Sequence, residues 1–150
     1  MHKLILAAAS IAALALVDEE MAASHDRIKL TSLTVIAGTH GPQRATMKLD
    51  VDGQTRIEEA EGNGPVDAVF NCIKALVPHE ARLGLYQVHA VTEGTDAQAE
   101  VSVRLGHEGR SMTARAADPD TLVASAKAYL GALNKIVMKR QRDVPAAAAS

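Results

Sequence analysis

The chain has no tryptophan, one phenylalanine and two tyrosines, so aromatic residues make up only 2% of it. Without a series of rings on which bases can stack, and with 16 basic residues against 18 acidic ones, nothing marks it as a nucleic-acid binder. It has one cysteine, Cys72, so no disulfide framework can form. Its place beside Phe70 and Ile73 reads as a reduced, buried thiol. The six histidines are scattered, with no H-x-H, no H-E-x-x-H and no Cys/His cluster, so no metal ligand set is readable. No phosphate loop and no paired acid and base can be assembled either, and no residue is assigned a catalytic role. At 150 residues the chain is one domain's worth, well short of the ~250 residues of a complete (β/α)₈ barrel.

A membrane span is lacking too. The apolar run LILAAASIAALALV, residues 4–17, is too short and too rich in alanine to cross a bilayer. Two readings of it stay open: the apolar core of a secretory signal with Ala22-Ala23-Ser24 as processing site, or a helix packing on the rest of the protein. Asp18, Glu19 and Glu20 separate the run from that site, which favours the second reading and a cytoplasmic protein, with export as the alternative.

What is present begins with EGNGPVDAVF, Glu61 to Phe70. Proline is preorganised for the first helical position, so Pro65 marks a helix start and Gly64 its cap. Backbone N–H groups there point outward with no bulky side chain to hold a small anion away, which suits a carboxylate or phosphate. A tight strand-to-helix turn explains the same glycines without a ligand.

Around this start the chain repeats itself. ATMKLDVD (45–52) and AEVSVRL (99–105) alternate apolar and polar residues and lead to Asp52-Gly53 and Glu108-Gly109, which are hairpin signals. RIKLTSLTVIAG (27–38) and RLGLYQVHAVTEG (82–94) precede them; QTRIEEAE and RSMTARAA follow, each leading to a proline and a helical pattern. Matching positions lie 55 to 57 apart: Arg27 with Arg82, Leu30 with Leu85, Met47 with Val103, Gly53 with Gly109, Ile73 with Leu130. Val66, Val69, Phe70, Ile73, Leu76 and Val77 share one helix face, as do Leu122, Ala126, Tyr129, Leu130, Leu133 and Val137. Asp118, before Pro119, is the expected cap of the second helix. The predicted fold is α+β: two βββα units related by a pseudo-twofold axis, each a three-stranded antiparallel sheet covered by one helix. The division is an N-terminal helical or linker segment over 1–26, a domain over 27–140 with repeats at about 27–78 and 82–138, and a disordered tail over 141–150. Such small units should pack on one another, with ligand space between them near the helix starts and further burial in a dimer.

GNGPVDA (62–68), LYQVHAVTEGTDAQAEVSVRL (85–105) and DPDTLVASAKAYLGALN (118–134) resemble the C-terminal regulatory domain of 2-isopropylmalate synthase, the first committed enzyme of leucine biosynthesis. The likeness covers residues 27–140. It implies the same pair of βββα units, a homodimer, and L-leucine as feedback inhibitor. The parent family is an acyltransferase that joins acetyl-CoA to 2-oxoisovalerate in a barrel with a metal-binding His-x-His. This chain has neither the length nor that motif, so the resemblance implies no catalysis and no cofactor here, and a catalytic barrel domain or subunit as partner. ALVDEE (15–20) resembles the subdomain that precedes the regulatory domain.

Carried onto matching positions, the family's effector contacts are Val66, Leu83, Tyr86, Ala90, Ala97, Ala99 and Leu122 around the branched side chain. Gly62, Asn63, Gly64 and Pro65 take the carboxylate, and Asn63 or a nearby carbonyl accepts from the ammonium. Val66, Leu83, Ala90 and Leu122 serve equally well as core residues of any such fold. Asp67 is read as complementing its helix dipole, and His89 as a satisfied histidine. One departure stands out: the family's G-x-G before the second helix is here Thr113-Ala114-Arg115-Ala116. The rival readings are an exported interaction protein without ligand and an isoleucine-sensing domain like that of citramalate synthase.

Overall fold

A computed structural model of the chain describes residues 26–93 and 96–143. The readings placed on residues 1–25 and 144–150 lie outside them. Three strands, β1 (Ile28–Ile36), β2 (Gln43–Val51) and β3 (Gln54–Gly62), lead to helix α1 (Pro65–Leu76). After a linker the order recurs as β4 (Arg82–Glu93), β5 (Asp96–His107), β6 (Arg110–Asp118) and α2 (Thr121–Asp143). Each sheet is a three-stranded antiparallel meander, β1-β2-β3 and β4-β5-β6. The predicted pair of βββα units is therefore present, and α2 runs through residues 141–143.

Alternation sets the faces. Along β2, Ala45, Met47, Leu49 and Val51 are buried while Thr46, Lys48 and Asp50 are half-buried; along β5, Val101, Val103 and Leu105 are buried. The β2-β3 and β5-β6 turns are tight because their residues accept left-handed backbone: Asp52 and Gly53 have φ of 53° and 83°, Glu108 and Gly109 of 52° and 76°. Consecutive positive φ values match the twist of an antiparallel pair. Asp50 Oδ1 accepts from Gly53 N–H at 2.8 Å and steadies the first turn.

The register refines the repeat. Leu30 pairs with Leu49 and Leu83 with Leu105, each flanking a bulge. Leu49 and Leu105 sit equally far from their hairpins, so Leu30 corresponds to Leu83, not to Leu85 as the sequence comparison has it. The bulge between Leu83 and Leu85 turns these two leucines to opposite faces, Leu83 across from buried Leu105 and Leu85 across from exposed Arg104, and an apolar pattern read without the bulge pairs the wrong one with Leu30. From β2 onward the offset is 56: Ala68 N–H bonds to Gly64 O and Ala124 N–H to Asp120 O, at 2.9 Å each, which pairs the two helix starts.

Helix α1 lies across β2 and β3, and α2 lies across β5 and β6 and reaches β1. The helices also touch one another, so the units share one core of Met47, Leu49, Val69, Ile73, Val103, Tyr129 and their neighbours. Asn134, buried on α2, joins them by backbone bonds: Ile28 N–H donates to its Oδ1 at 2.9 Å, and its Nδ2 donates to Ile28 O at 2.8 Å. A buried amide with both ends satisfied fixes one relative placement of α2 and β1. Cys72 is buried, as read from the sequence.

Candidate functional site

Helix α1 begins where expected, with Pro65 in its first turn and Gly64 as N-cap. The two glycines differ in purpose. A Cβ on Gly62 would lie 2.4 Å from Ala68 N and 2.7 Å from Asp67 C, so only glycine lets β3 end this close to the helix. Gly64 has φ of −156°, ordinary extended backbone, and nothing within 4 Å of where its Cβ would be. Gly62 is turn chemistry. Gly64 leaves open space over the helix start.

Gly64 supplies no side-chain cap, so the first-turn N–H groups keep their outward aim. Asp67 folds back over the start: its Oδ2 accepts from Asn63 N–H at 2.9 Å and stands 3.5 Å from Asn71 Nδ2. Asn71 Nδ2 also donates to Glu61 O at 3.0 Å, tying the helix to the end of β3. The carboxylate of Asp67 thus consumes the Asn63 N–H and leaves Val66 and Asp67 as the amides that a ligand anion can meet.

The second start differs from expectation. Helix α2 begins at Thr121, and its cap is Asp120: Oδ1 accepts from Leu122 N–H at 2.8 Å and from Val123 N–H at 3.4 Å. Asp118 instead accepts from Asp120 N–H at 2.9 Å and from Lys127 Nζ at 3.1 Å. The Asp120 N–H and then Lys127 hold its carboxyl below the usual carboxylate range. Both aspartates of Asp-Pro-Asp fit a cap by composition, and reading Pro119 as the first helical residue placed Asp120 inside the helix.

Across the β4-β5-β6 sheet, Ala90 pairs with Ala99 and Ala99 with Asp118, while Thr92 pairs with Ala97. Ala90, Ala97 and Ala99 therefore lie at the end of the sheet from which the chain enters α2 and Leu122. Leu83 pairs with Leu105 at the other end, seven residues along β4, about 20 Å away at ~3.3 Å per residue. Directly opposed residues share a face. Leu83, Tyr86, Val88 and Ala90 thus face the same side as the buried Leu105, Val103, Val101 and Ala99, yet Leu83 and Val88 are 46% and 43% exposed because α2 lies over β5 and β6.

Tyr86 closes this strip from within. Its ring meets the Phe70 ring edge-on, centroids 5.5 Å apart at 87°, and its hydroxyl is 2.8 Å from Ser125 Oγ on α2. Phe70 also packs on Tyr129 at 4.6 Å. All the aromatic residues of the chain, Phe70, Tyr86 and Tyr129, form one wall between the units. Sequence reasoning missed Phe70, Ser125 and Tyr129 as a group. Their only sequence signal was the scarcity of rings, which says nothing of where those rings meet.

The wall continues into the linker. Tyr129 Oη bonds His79 Nε2 at 2.9 Å, and Ala81 N–H donates to His79 Nδ1 at 3.1 Å. An accepting Nδ1 places the neutral ring's hydrogen on Nε2. Burial, then the nearby charges of Lys74 and His107, push the His79 pKa down, and burial pushes Tyr129 up to about 12. A cavity of about 430 Å³ opens beside His79, walled by Val77, Leu133, Ile136 and Val137. It lies away from both helix starts, since neither the Gly62–Val66 segment nor Leu122 lines it.

Among the described residues no group of three or more His, Cys, Asp or Glu is placed to hold a metal, and no helix is long and apolar enough to cross a membrane.

A family model described as the LeuA allosteric (dimerisation) domain matches residues 7–137. The chain is 91% identical over 136 residues to a 2-isopropylmalate synthase of Bradyrhizobium diazoefficiens, covering 91% of the chain and 26% of that protein. It is 90% identical over 136 residues to the 2-isopropylmalate synthase of Nitrobacter hamburgensis, and 89% identical over 138 residues to that of Rhodopseudomonas palustris, with the same coverage in each case. The chain spans about a quarter of the length of these curated relatives.

Proposed function

The chain belongs to the LeuA allosteric (dimerisation) domain family, and from that premise we propose that it is the regulatory module of a 2-isopropylmalate synthase, binding L-leucine as feedback inhibitor. The observation that supports a ligand most directly is the α1 start, where Gly64 leaves open space over uncapped first-turn amides. Leucine's carboxylate meets the positive end of the helix there, worth about 1 kcal/mol or somewhat more where water is partly excluded. Its isobutyl group takes the small apolar surface of Val66, Ala90, Ala99 and Leu122, with Tyr86 as wall. Leu83, Ala97 and Asn63 remain in the proposed set. Within one chain Leu83 stands apart, and a second copy is the natural way for it to take part.

The proposed partners are a second copy of the chain and a catalytic barrel that condenses acetyl-CoA with 2-oxoisovalerate, in the cytoplasm. The divalent metal of that chemistry is proposed to belong to the barrel, as the family resemblance implies. Leucine would act only by binding two arrangements of module and barrel with different affinity.

Calorimetric titration of the purified chain with leucine, isoleucine and valine tests the reading. Saturable binding with leucine preferred is the expected result. Preference for isoleucine would move the chain to the citramalate-synthase reading, and no binding to any of the three would remove the effector role.

A further inference from the structure

The Tyr86–Ser125 contact fixes a hydrogen as well as a distance. Ser125 is fully buried and has one hydroxyl hydrogen, which it donates to Thr121 O, one turn back on α2, at 2.7 Å. The 2.8 Å contact between Tyr86 Oη and Ser125 Oγ must then use the tyrosine hydrogen. What Tyr86 presents elsewhere is lone pairs alone. Phe70 fixes the ring plane from the other unit by its edge contact. Phe70 stands five residues into α1 and Ser125 four residues into α2, so at ~1.5 Å per residue both helix starts lie within about 8 Å along their axes of this joint.

We infer that Ser125 is a positioning residue for the amino-acid site: by taking the Tyr86 hydrogen it makes that hydroxyl an acceptor only, turned to the ammonium end of the ligand. An acceptor favours an N–H donor and opposes a carboxylate. With a positive helix start on one side and an acceptor on the other, an α-amino acid has one orientation, carboxylate to α1 and ammonium toward Tyr86. The inference rests on the leucine reading above and adds to it the residue that sets the ligand's polarity.

The test uses the full chain, unaltered and as Tyr86→Phe, Ser125→Ala and the double variant, titrated with leucine and with 4-methylpentanoate. The second ligand keeps leucine's carboxylate and isobutyl group and lacks the ammonium. A hydrogen bond to a charged group predicts that Tyr86→Phe weakens leucine about tenfold and leaves 4-methylpentanoate unchanged. Ser125→Ala should weaken leucine in the same sense, and the double variant no further than Tyr86→Phe. Leucine affinity unchanged in Tyr86→Phe, or equal losses on both ligands, overturns the inference while the leucine reading stands. Failure of the unaltered chain to bind leucine removes that reading, and the inference with it. Should Ser125→Ala not fold, Tyr86→Phe keeps the ring on Phe70 and carries the same comparison.

Discussion

At the scale of single residues, the glycines of EGNGPVDAVF separate structure from function. Gly62→Ala drives a methyl group into the backbone at Ala68, and overpacking against atoms that cannot rotate away costs about 2 kcal/mol or more. A clearly lowered melting temperature is expected. Gly64→Val meets open space and a permissive backbone, so the melting temperature should stay near that of the unaltered chain while leucine binding drops at least tenfold. His79 gives a second residue-scale prediction. Its folded-state pKa is depressed by burial and by Lys74 and His107, so the fold holds the neutral ring. The unfolded chain then binds the proton more readily below the ordinary histidine value of about 6.5. That contribution is complete above this pH and lost as pH falls through the depressed folded value, where protonation sets a second hydrogen against Ala81 N–H. Melting temperature should fall between pH 7 and pH 5, and His79→Phe should flatten the fall. An unchanged slope in that variant would assign it to other groups.

At the scale of elements, the strands were legible because alternation and two hairpin dipeptides agree with each other, and α1 because glycine, proline and an apolar face agree. The start of α2 was not. Asp-Pro-Asp offers two capping residues, and only the hydrogen bonds to Leu122 and Val123 choose Asp120. Asp120→Ala should therefore destabilise the chain by about 1 kcal/mol, by denaturant titration. Asp118→Ala, which removes an exposed contact with Lys127 and a turn bond, should have the smaller effect. The β1 correspondence was likewise illegible, because the bulge that turns Leu83 and Leu85 to opposite faces leaves no mark in the apolar pattern, where both read as leucine. Ala114 and Ala116, in place of the family's glycines, lie in β6, and Ala114 packs beneath α2 at Gly131. A Cβ on Gly131 would come 3.0 Å from Ala114 Cβ, so in this chain the glycine that permits close packing is on the helix.

At the scale of the molecule, two units that repeat in sequence are made one body by features without counterparts in the repeat. Asn134 clasps Ile28, and the aromatic wall runs from Tyr86 through Phe70 and Tyr129 to the linker histidine. Residues 70, 86 and 129 are brought together by tertiary packing between units, which periodicity cannot report. The α1 start was legible because it is local. The same wall places both helix starts near one joint, which is the arrangement that a ligand with a carboxylate, an ammonium and an apolar branch requires. The measurement that tests this most directly is the amide spectrum of the isotopically labelled chain during leucine titration. Saturable shifts of the Val66 and Asp67 amides, together with residues near Tyr86 and Leu122, are predicted. Leucine binding that leaves the Val66 and Asp67 amides unmoved would contradict the helix-start site and leave its glycines as turn chemistry alone.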